Sequence, residues 1–433
     1  MVATPAPSRL THQPVVKRLP NGLTIIAEHM STAAINLNIW LRVGSWVESD
    51  AINGMAHFLE HMIFKGTPQL QCGEFERLIE ERGAITNAAT SQDYTHYYIT
   101  TTPKDFSKLA PLQVELLLNA NLSDSDFERE RPVILEEIRR SEDNPKRRIF
   151  QHSMALNFEH LPYRRPVLGP TSVIENLSAE QMRDFHRRWY QPQNMTAVVV
   201  GDLPVDQLIA TVEESFEKAL ARRHQHSLRE PLEGVPITSL EKPFQSIARA
   251  DYVDATLKQA RLVLSWRVPG LKQLSETYAL DVLASILGQG RTARLVRDLR
   301  ETRGLVNSIS TSNITYGEQG VFYISAHLPV DRLEAAEKAV LEHIQRLHNL
   351  PVSEAELRRV RTQVANRYVF GNETSSDRAN MYGYYHAMTG DIENALNYPR
   401  SIQTVDADAI QAAVKRYLPV NAYGVLRLQP ESN

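Results

Sequence analysis

An α+β fold built twice, as two homologous domains of roughly 200 residues related by internal duplication, is what this 433-residue sequence predicts. Two observations carry that expectation. First, Ile174 to Asn194 (IENLSAEQMRDFHRRWYQPQN) and Ile402 to Asn421 (IQTVDADAIQAAVKRYLPVN) share a pattern, with one single-residue gap between them. Each runs from a capped helix through an aromatic residue and Pro-x-Asn into a strand. Second, strands come grouped with helices rather than in strict alternation, so each domain should hold a mixed or antiparallel sheet packed with helices. The join falls in the polar, His- and Arg-bearing stretch from Arg222 to Lys242, giving domains at 1–221 and 243–433 and a linker at 222–242.

The elements follow from local chemistry. Val15 to Ile26 reads as a hairpin because Asn21-Gly22 accepts the left-handed backbone of a tight turn. Ile35 to Val43 is a strand, a helix stops at Gly66-Thr67-Pro68, another runs from Gly73 to Arg82, and Ala84 to Thr100 reads as strand. Phe127 to Asp143 is helical, with Pro132 placed to kink or split it. Ser178, boxed with Gln181, and Asp406 start the two repeated helices, and the strands MTAVVVGDL and AYGVLRLQP follow them. The second half opens on strands around Ser246 to Val268 and continues in a helical run from Ser275 to Glu301.

Composition narrows the function. A hydrophobic content of 42% is that of an ordinary globular chain, and a net charge of −3 with a pI near 6.6 makes no electrostatic case for nucleic acid or an anionic membrane. One cysteine, Cys72, excludes an intramolecular disulfide and suits a reducing compartment. The opening MVATPAPSRLTHQPVVKRL is basic but has no apolar core, and no stretch has the run of apolar residues that a membrane span needs. A soluble, cytoplasmic protein is expected.

His57-Phe58-Leu59-Glu60-His61 carries the chemistry. At about 100° per residue, His57 and His61 lie roughly 40° apart on a helix and Glu60 within about 60° of His57. Met55, Phe58, Leu59, Met62 and Ile63 take the opposite arc. Two imidazoles at that spacing can share a divalent ion, and a carboxylate beside it can take a proton from water. An amphipathic surface helix would show the same pattern, so a third ligand is needed. On the Phe127–Asp143 wheel, Glu130 and Glu137 flank the stripe of Phe127, Ile134 and Ile138, while Glu136 faces water. A solvated helix whose arginines pair with its acids fits that wheel equally well.

Met55 to Thr67, the Phe-Glu-Arg-Glu-Arg run leading into Glu-Glu-Ile, and the strand with Asn87-Ala88 together resemble the pitrilysin and insulinase inverzincins. The match is to the short, processing-peptidase-like branch with bacterial members. The resemblance implies a zinc metalloendopeptidase that cleaves unfolded or extended peptides. It assigns His57, His61 and Glu137 to one Zn²⁺ per chain, Glu60 to the general base and Glu130 to support of the site. An extended peptide would pair with the strand edge at Ala84 to Thr90, through Asn87 and Ala88.

Arg300 matches an arginine that binds substrate in the family, but the tyrosine expected seven positions later is Asn307. An amide cannot stand in for a phenol at a fixed reach. The chain is therefore expected to be the zinc-bearing half of a heterodimer whose homologous partner supplies the Arg/Tyr pair. The alternatives are a homodimer using another donor such as Tyr316, or a non-catalytic scaffold subunit of the same fold. Arg291, Arg294, Arg297, Arg300 and Arg303 wind around a helix and make no nucleic-acid stripe. His96, His186 and His386 read as packed side chains, and His224 and His226 as linker residues.

Overall fold

The computed structural model describes residues 13–223 and 239–431. His224, His226 and most of the expected linker lie outside them. The first half supplies strands β1 (Val15–Arg18), β2 (Thr24–His29), β3 (Ile35–Leu41), β4 (Ile85–Thr90), β5 (Thr95–Thr101) and β6 (Met195–Gly201). Its helices are α1 (Met55–Ile63), α2 (Glu74–Glu80), α3 (Pro103–Asn119), α4 (Asp124–Glu142), α5 (Pro145–Asn157), α6 (Thr171–Ile174), α7 (Ala179–Trp189) and α8 (Val205–Arg222). The second half supplies β7 (Ala248–Val253), β8 (Ala260–Pro269), β9 (Ser308–Ile314), β10 (Gln319–Leu328) and β11 (Gly424–Gln429). With them come α9 (Leu274–Gly288), α10 (Leu333–Asn349), α11 (Glu354–Phe370), α12 (Ser375–Thr389), α13 (Glu393–Thr404) and α14 (Ala407–Tyr417).

The duplication is visible in the sheets. One runs β1-β2-β6-β3-β5-β4 and the other β7-β11-β8-β10-β9. Only the β2/β6 and β7/β11 pairs are parallel, and they fall at equivalent places. Apart from β1, the second sheet repeats the first strand for strand.

Three expectations need correction. Ala84 to Thr100 is not one strand but the hairpin β4/β5, turned at Ser91–Tyr94, whereas the strands expected around Ser246 to Val268 are present as β7 and β8. The run from Ser275 breaks after Gly288, where Gln289 turns to extended backbone, and Val296–Thr302 resumes as a π-helix. Pro132 does not split α4, which runs unbroken over 19 residues.

The chain divides into two compact units, but not as two consecutive blocks. The first comprises the described residues of Met1–Ile138, Arg165–Pro236 and Tyr368–Ala395; the second, those of Arg139–Arg164, Ile237–Arg367 and Leu396–Asn433. Each sheet is thus backed by a helix from the other half of the sequence. In the first unit every residue of β3 is buried although it reads Ile-Asn-Leu-Asn-Ile-Trp-Leu. Ile35, Leu37, Ile39 and Leu41 enter the core with Phe58, Phe106, Val212 and Phe216 from α1, α3 and α8. Asn36, Asn38 and Trp40 lie on the other face, which α12 covers.

Polar contacts tie α12 to that face. Glu28, fully buried, takes the guanidinium of Arg378 and, at 2.9 Å, the hydroxyl of Tyr382. Asn38 donates to Asn380 at 2.7 Å, and Gly383 lies against Trp40 so closely that a Cβ would sit 2.1 Å from the indole nitrogen. In the second unit α5 backs β8 and β11, with Asn157 donating to Ser265 at 2.9 Å and Ile149 packed among Val263, Leu426 and Leu428.

Candidate metal centre

The α1 helix is set by its surroundings. Its N-cap, Gly54, has φ 99° and offers no side chain, and a Cβ there would lie 2.6 Å from the Leu168 carbonyl. The open first turn is closed from outside by Glu48, a fully buried carboxylate that accepts from Gly54 N at 2.8 Å, Ala56 N at 2.7 Å and the Asn53 amide at 2.8 Å. An anion at a helix N-terminus meets both the unpaired N–H groups and the positive end of the dipole. Burial nevertheless pushes the Glu48 carboxyl up to about 7, against those hydrogen bonds and the nearby Arg165 charge.

Phe58 on the inner face of α1 stacks on Phe127 of α4, ring centres 4.4 Å apart, with both rings fully buried. That contact lays α4 across α1 and brings its acids over the histidines. His57 Nε2 lies 3.5 Å and His61 Nε2 3.6 Å from Glu137 Oε2. The three ligand atoms all fall within 4.8 Å of one another, the one such cluster among the described residues. Bonds of about 2.05 Å in a tetrahedron set ligand atoms about 3.3 Å apart, so the spacing fits a divalent ion. Two imidazoles and one carboxylate are also the donor set of a zinc site with an open position.

Behind the ligands, Glu130 Oε1 lies 3.0 Å from His61 Nδ1 and its Oε2 2.6 Å from Lys65 Nζ. A carboxylate accepting from Nδ1–H leaves the Nε2 lone pair for a metal. Burial works against the Glu130 charge, but Lys65 and His61 outweigh it and hold the group below its ordinary range. Burial also opposes a charged His61 ring, yet Glu137 and Glu130 raise its affinity for a proton. Glu60 is pushed up by burial, moderated by the hydroxyl of Thr90, which donates to Oε2. The site combines a cation pocket with a carboxylate of raised proton affinity.

The other expected residues are elsewhere in the two units. Asn87 and Ala88 lie on β4, the outermost strand of its sheet, whose far edge has no strand partner among the described residues. Asn87 is exposed and its side chain accepts from Ala88 N at 2.9 Å. Arg300 belongs to the second unit, in the π-helical turn, and pairs with Glu301. Asn307 donates to Gln259 at 2.7 Å. Tyr316 is buried, stacked on Tyr163 with its hydroxyl 3.7 Å from Met154 Sδ, which removes it as a ready donor to substrate. Glu136, expected in water, is half-buried like Glu137. Cys72 is exposed.

Packing accounts for the remaining histidines. His96 stacks on Trp40 and His186 meets the Leu117 carbonyl at 2.7 Å, and burial holds both rings down to about 4. His386 bonds Thr196. Of the arginines after Gly290, Arg294 pairs with Glu356 and Arg303 with Asp298.

Sequence reasoning missed Glu48, Lys65 and Thr90. Lys65 stands four residues after His61, a helical spacing that could have revealed it. Thr90 depends on strand register and Glu48 on a loop, and neither leaves a periodic trace. The second unit holds a partial echo of the site. Asp281 of α9 accepts from Asn313 of β9 at 2.8 Å, as Glu60 of α1 accepts from Thr90 of β4, and burial pushes Asp281 up to about 6. No histidine lies on α9.

Comparison with known proteins gives matches to two family models. Residues 24–171 match the profile described as insulinase (peptidase family M16), and residues 176–364 match the peptidase M16 inactive domain. An uncharacterized zinc protease of Mycobacterium tuberculosis is 28% identical over 416 residues, 96% of this chain and 93% of that protein. Zinc protease PqqE of Helicobacter pylori is 28% identical over 418 residues, covering 95% and 92%. The crystal structure of a protease from Helicobacter pylori superposes with a TM-score of 0.88 at 25% identity, over 97% of this chain and all of that one. No helix among the described residues is long and apolar enough to cross a membrane.

Proposed function

The chain belongs to the insulinase family, peptidase family M16, and on that premise we propose that it is a zinc-dependent endopeptidase acting on unfolded or extended peptides. The observation that carries this reading is the convergence of His57, His61 and Glu137 next to Glu60. These three residues would hold one zinc ion. Zinc bound there would polarise the scissile carbonyl and acidify a water molecule. Glu60, oriented by Thr90, takes the proton of the attacking water and passes it to the leaving nitrogen. Glu130 and Lys65 keep the His61 ring in one orientation. The open edge of β4, with Asn87 and Ala88, pairs with the substrate backbone, which favours extended segments of many sequences.

Asn307 favours a division of labour, in which this chain bears the zinc and a homologous partner brings an arginine and a tyrosine. The loss of one such donor typically costs about 3 kcal/mol of transition-state stabilisation. The same residue favours a second reading, a subunit that binds peptides without turning them over. A quenched extended peptide separates these. Zinc-loaded chain should cleave it, alone or only with a partner, and Glu60→Gln should lower turnover by about 10²–10⁴ while keeping stoichiometric zinc. Undiminished cleavage by that variant would remove Glu60 as the base. Full turnover by the isolated chain would remove the need for a partner.

A further inference from the structure

In the first sheet the outer edge of β2 is covered by β1, paired antiparallel from Val15↔Ala27 to Arg18↔Thr24. The second sheet repeats β2 as β7 but has no counterpart of β1 among the described residues, so β7 is its outermost described strand. Ala248 N and Asp254 N are turned to β11, at 2.9 and 2.8 Å. By strand alternation the backbone groups of Arg249, Asp251 and Val253 therefore point outward. Edges of this kind are usually blunted by charged side chains, lysine above all, by proline or by a bulge. The sequence Ala-Arg-Ala-Asp-Tyr-Val has no lysine or proline, and its ladder with β11 runs in unbroken register. Tyr252 is 38% exposed and Val253 70%, and Ile247 just before the strand is 44% exposed.

The side chains select an occupant. Two antiparallel copies of β7 centred on Ala250 set Arg249 opposite Asp251 twice and Ile247 opposite Val253 twice. Each opposed pair consists of residues whose backbone groups face outward, as the narrow hydrogen-bonded rings of an antiparallel ladder require. Moving the centre to Arg249 or Asp251 would oppose like charges. The positive side is reinforced because Arg249 and Arg427 share one carboxylate, Glu337, leaving that trio with a net positive charge.

We propose that β7 is a homotypic docking edge, at which a second copy of this chain adds its own β7 antiparallel and joins the two five-stranded sheets into one. This contact is separate from any partner that completes the metal centre, and its test does not depend on peptidase activity.

Sedimentation of the full chain at tens of micromolar should show a species of twice the 49.1 kDa chain mass. Asp251→Arg, which faces Arg249 of the other copy with a like charge, should raise the dimer dissociation constant at least about tenfold with an unchanged circular dichroism spectrum. As an independent check of register, Ala250→Cys in a Cys72→Ser background places two thiols on the two-fold axis. A non-hydrogen-bonded pair there has Cα atoms about 4.5 Å apart, within disulfide range, so mild oxidation should give a covalent dimer. A monomeric chain, or a dimer that ignores Asp251→Arg and fails to cross-link, overturns the proposal.

Discussion

Glu48 supplies what α1 lacks. The helix begins on a left-handed glycine, and His57 sits in its first turn, so the carboxylate on Gly54 N and Ala56 N fixes where that turn starts. Glu48→Gln removes an acceptor from buried donors and should cost about 1–3 kcal/mol in urea unfolding of the metal-free chain. Because burial raises the Glu48 carboxyl to about 7 in the folded state, its contribution is fully present below about 4.5, the ordinary value, and is lost as pH rises through about 7. Wild-type stability should fall across that window more steeply than that of the Gln variant, and parallel slopes would show that Glu48 does not titrate there. Glu130→Gln should weaken zinc binding about 10- to 100-fold in a chelator competition, since an amide can present its nitrogen to His61 Nδ1. The histidine pair was legible in the sequence because its members stand one helical turn apart, whereas the helical wheel set Glu130 and Glu137 level beside the apolar stripe and only the family resemblance singled out Glu137. The residues that hold the site were not legible, because Glu48 and Thr90 arrive through loop path and strand register.

Among the elements, α12 shows most clearly where a one-dimensional pattern stops. Its buried residues Ser375, Ala379, Tyr382, Gly383 and Ala387 share one helical face but mix polar, small and aromatic types, so no apolar stripe marks the helix. Nor does the sequence show its destination, since the groups that receive it, Glu28, Asn38, Trp40 and Thr196, come from strands far earlier in the chain. Alanine at 383 would gain about 1 kcal/mol in helix propensity, but overpacking against Trp40 should cost about 1–3 kcal/mol. Gly383→Ala is thus expected to lower stability in thermal or denaturant unfolding and to blue-shift tryptophan fluorescence little; a more stable variant would mean the helix can shift off the indole. The same limit explains the split strand. Alternation was visible across Ala84 to Thr100, but the Ser91–Tyr94 turn holds no glycine or proline to mark it.

At the scale of the molecule, the duplicated pattern ending in Pro-x-Asn announced two sheets of one topology, and the two strand orders agree. What the repeat could not show is that α5 and α12 each finish the sheet of the opposite half. Cutting the chain between Arg223 and Ser239 should accordingly leave a complex that purifies as one body when both pieces are expressed together. Either piece expressed alone should be insoluble or lose cooperative unfolding, and two independently stable fragments would contradict the exchange. The arrangement also constrains ancestry. A half-length forebear with this topology would have left one side of its sheet bare unless two molecules traded their closing helices. Fusion of the two genes would then have preserved an older partnership in a single polypeptide, each half still completing the other's sheet.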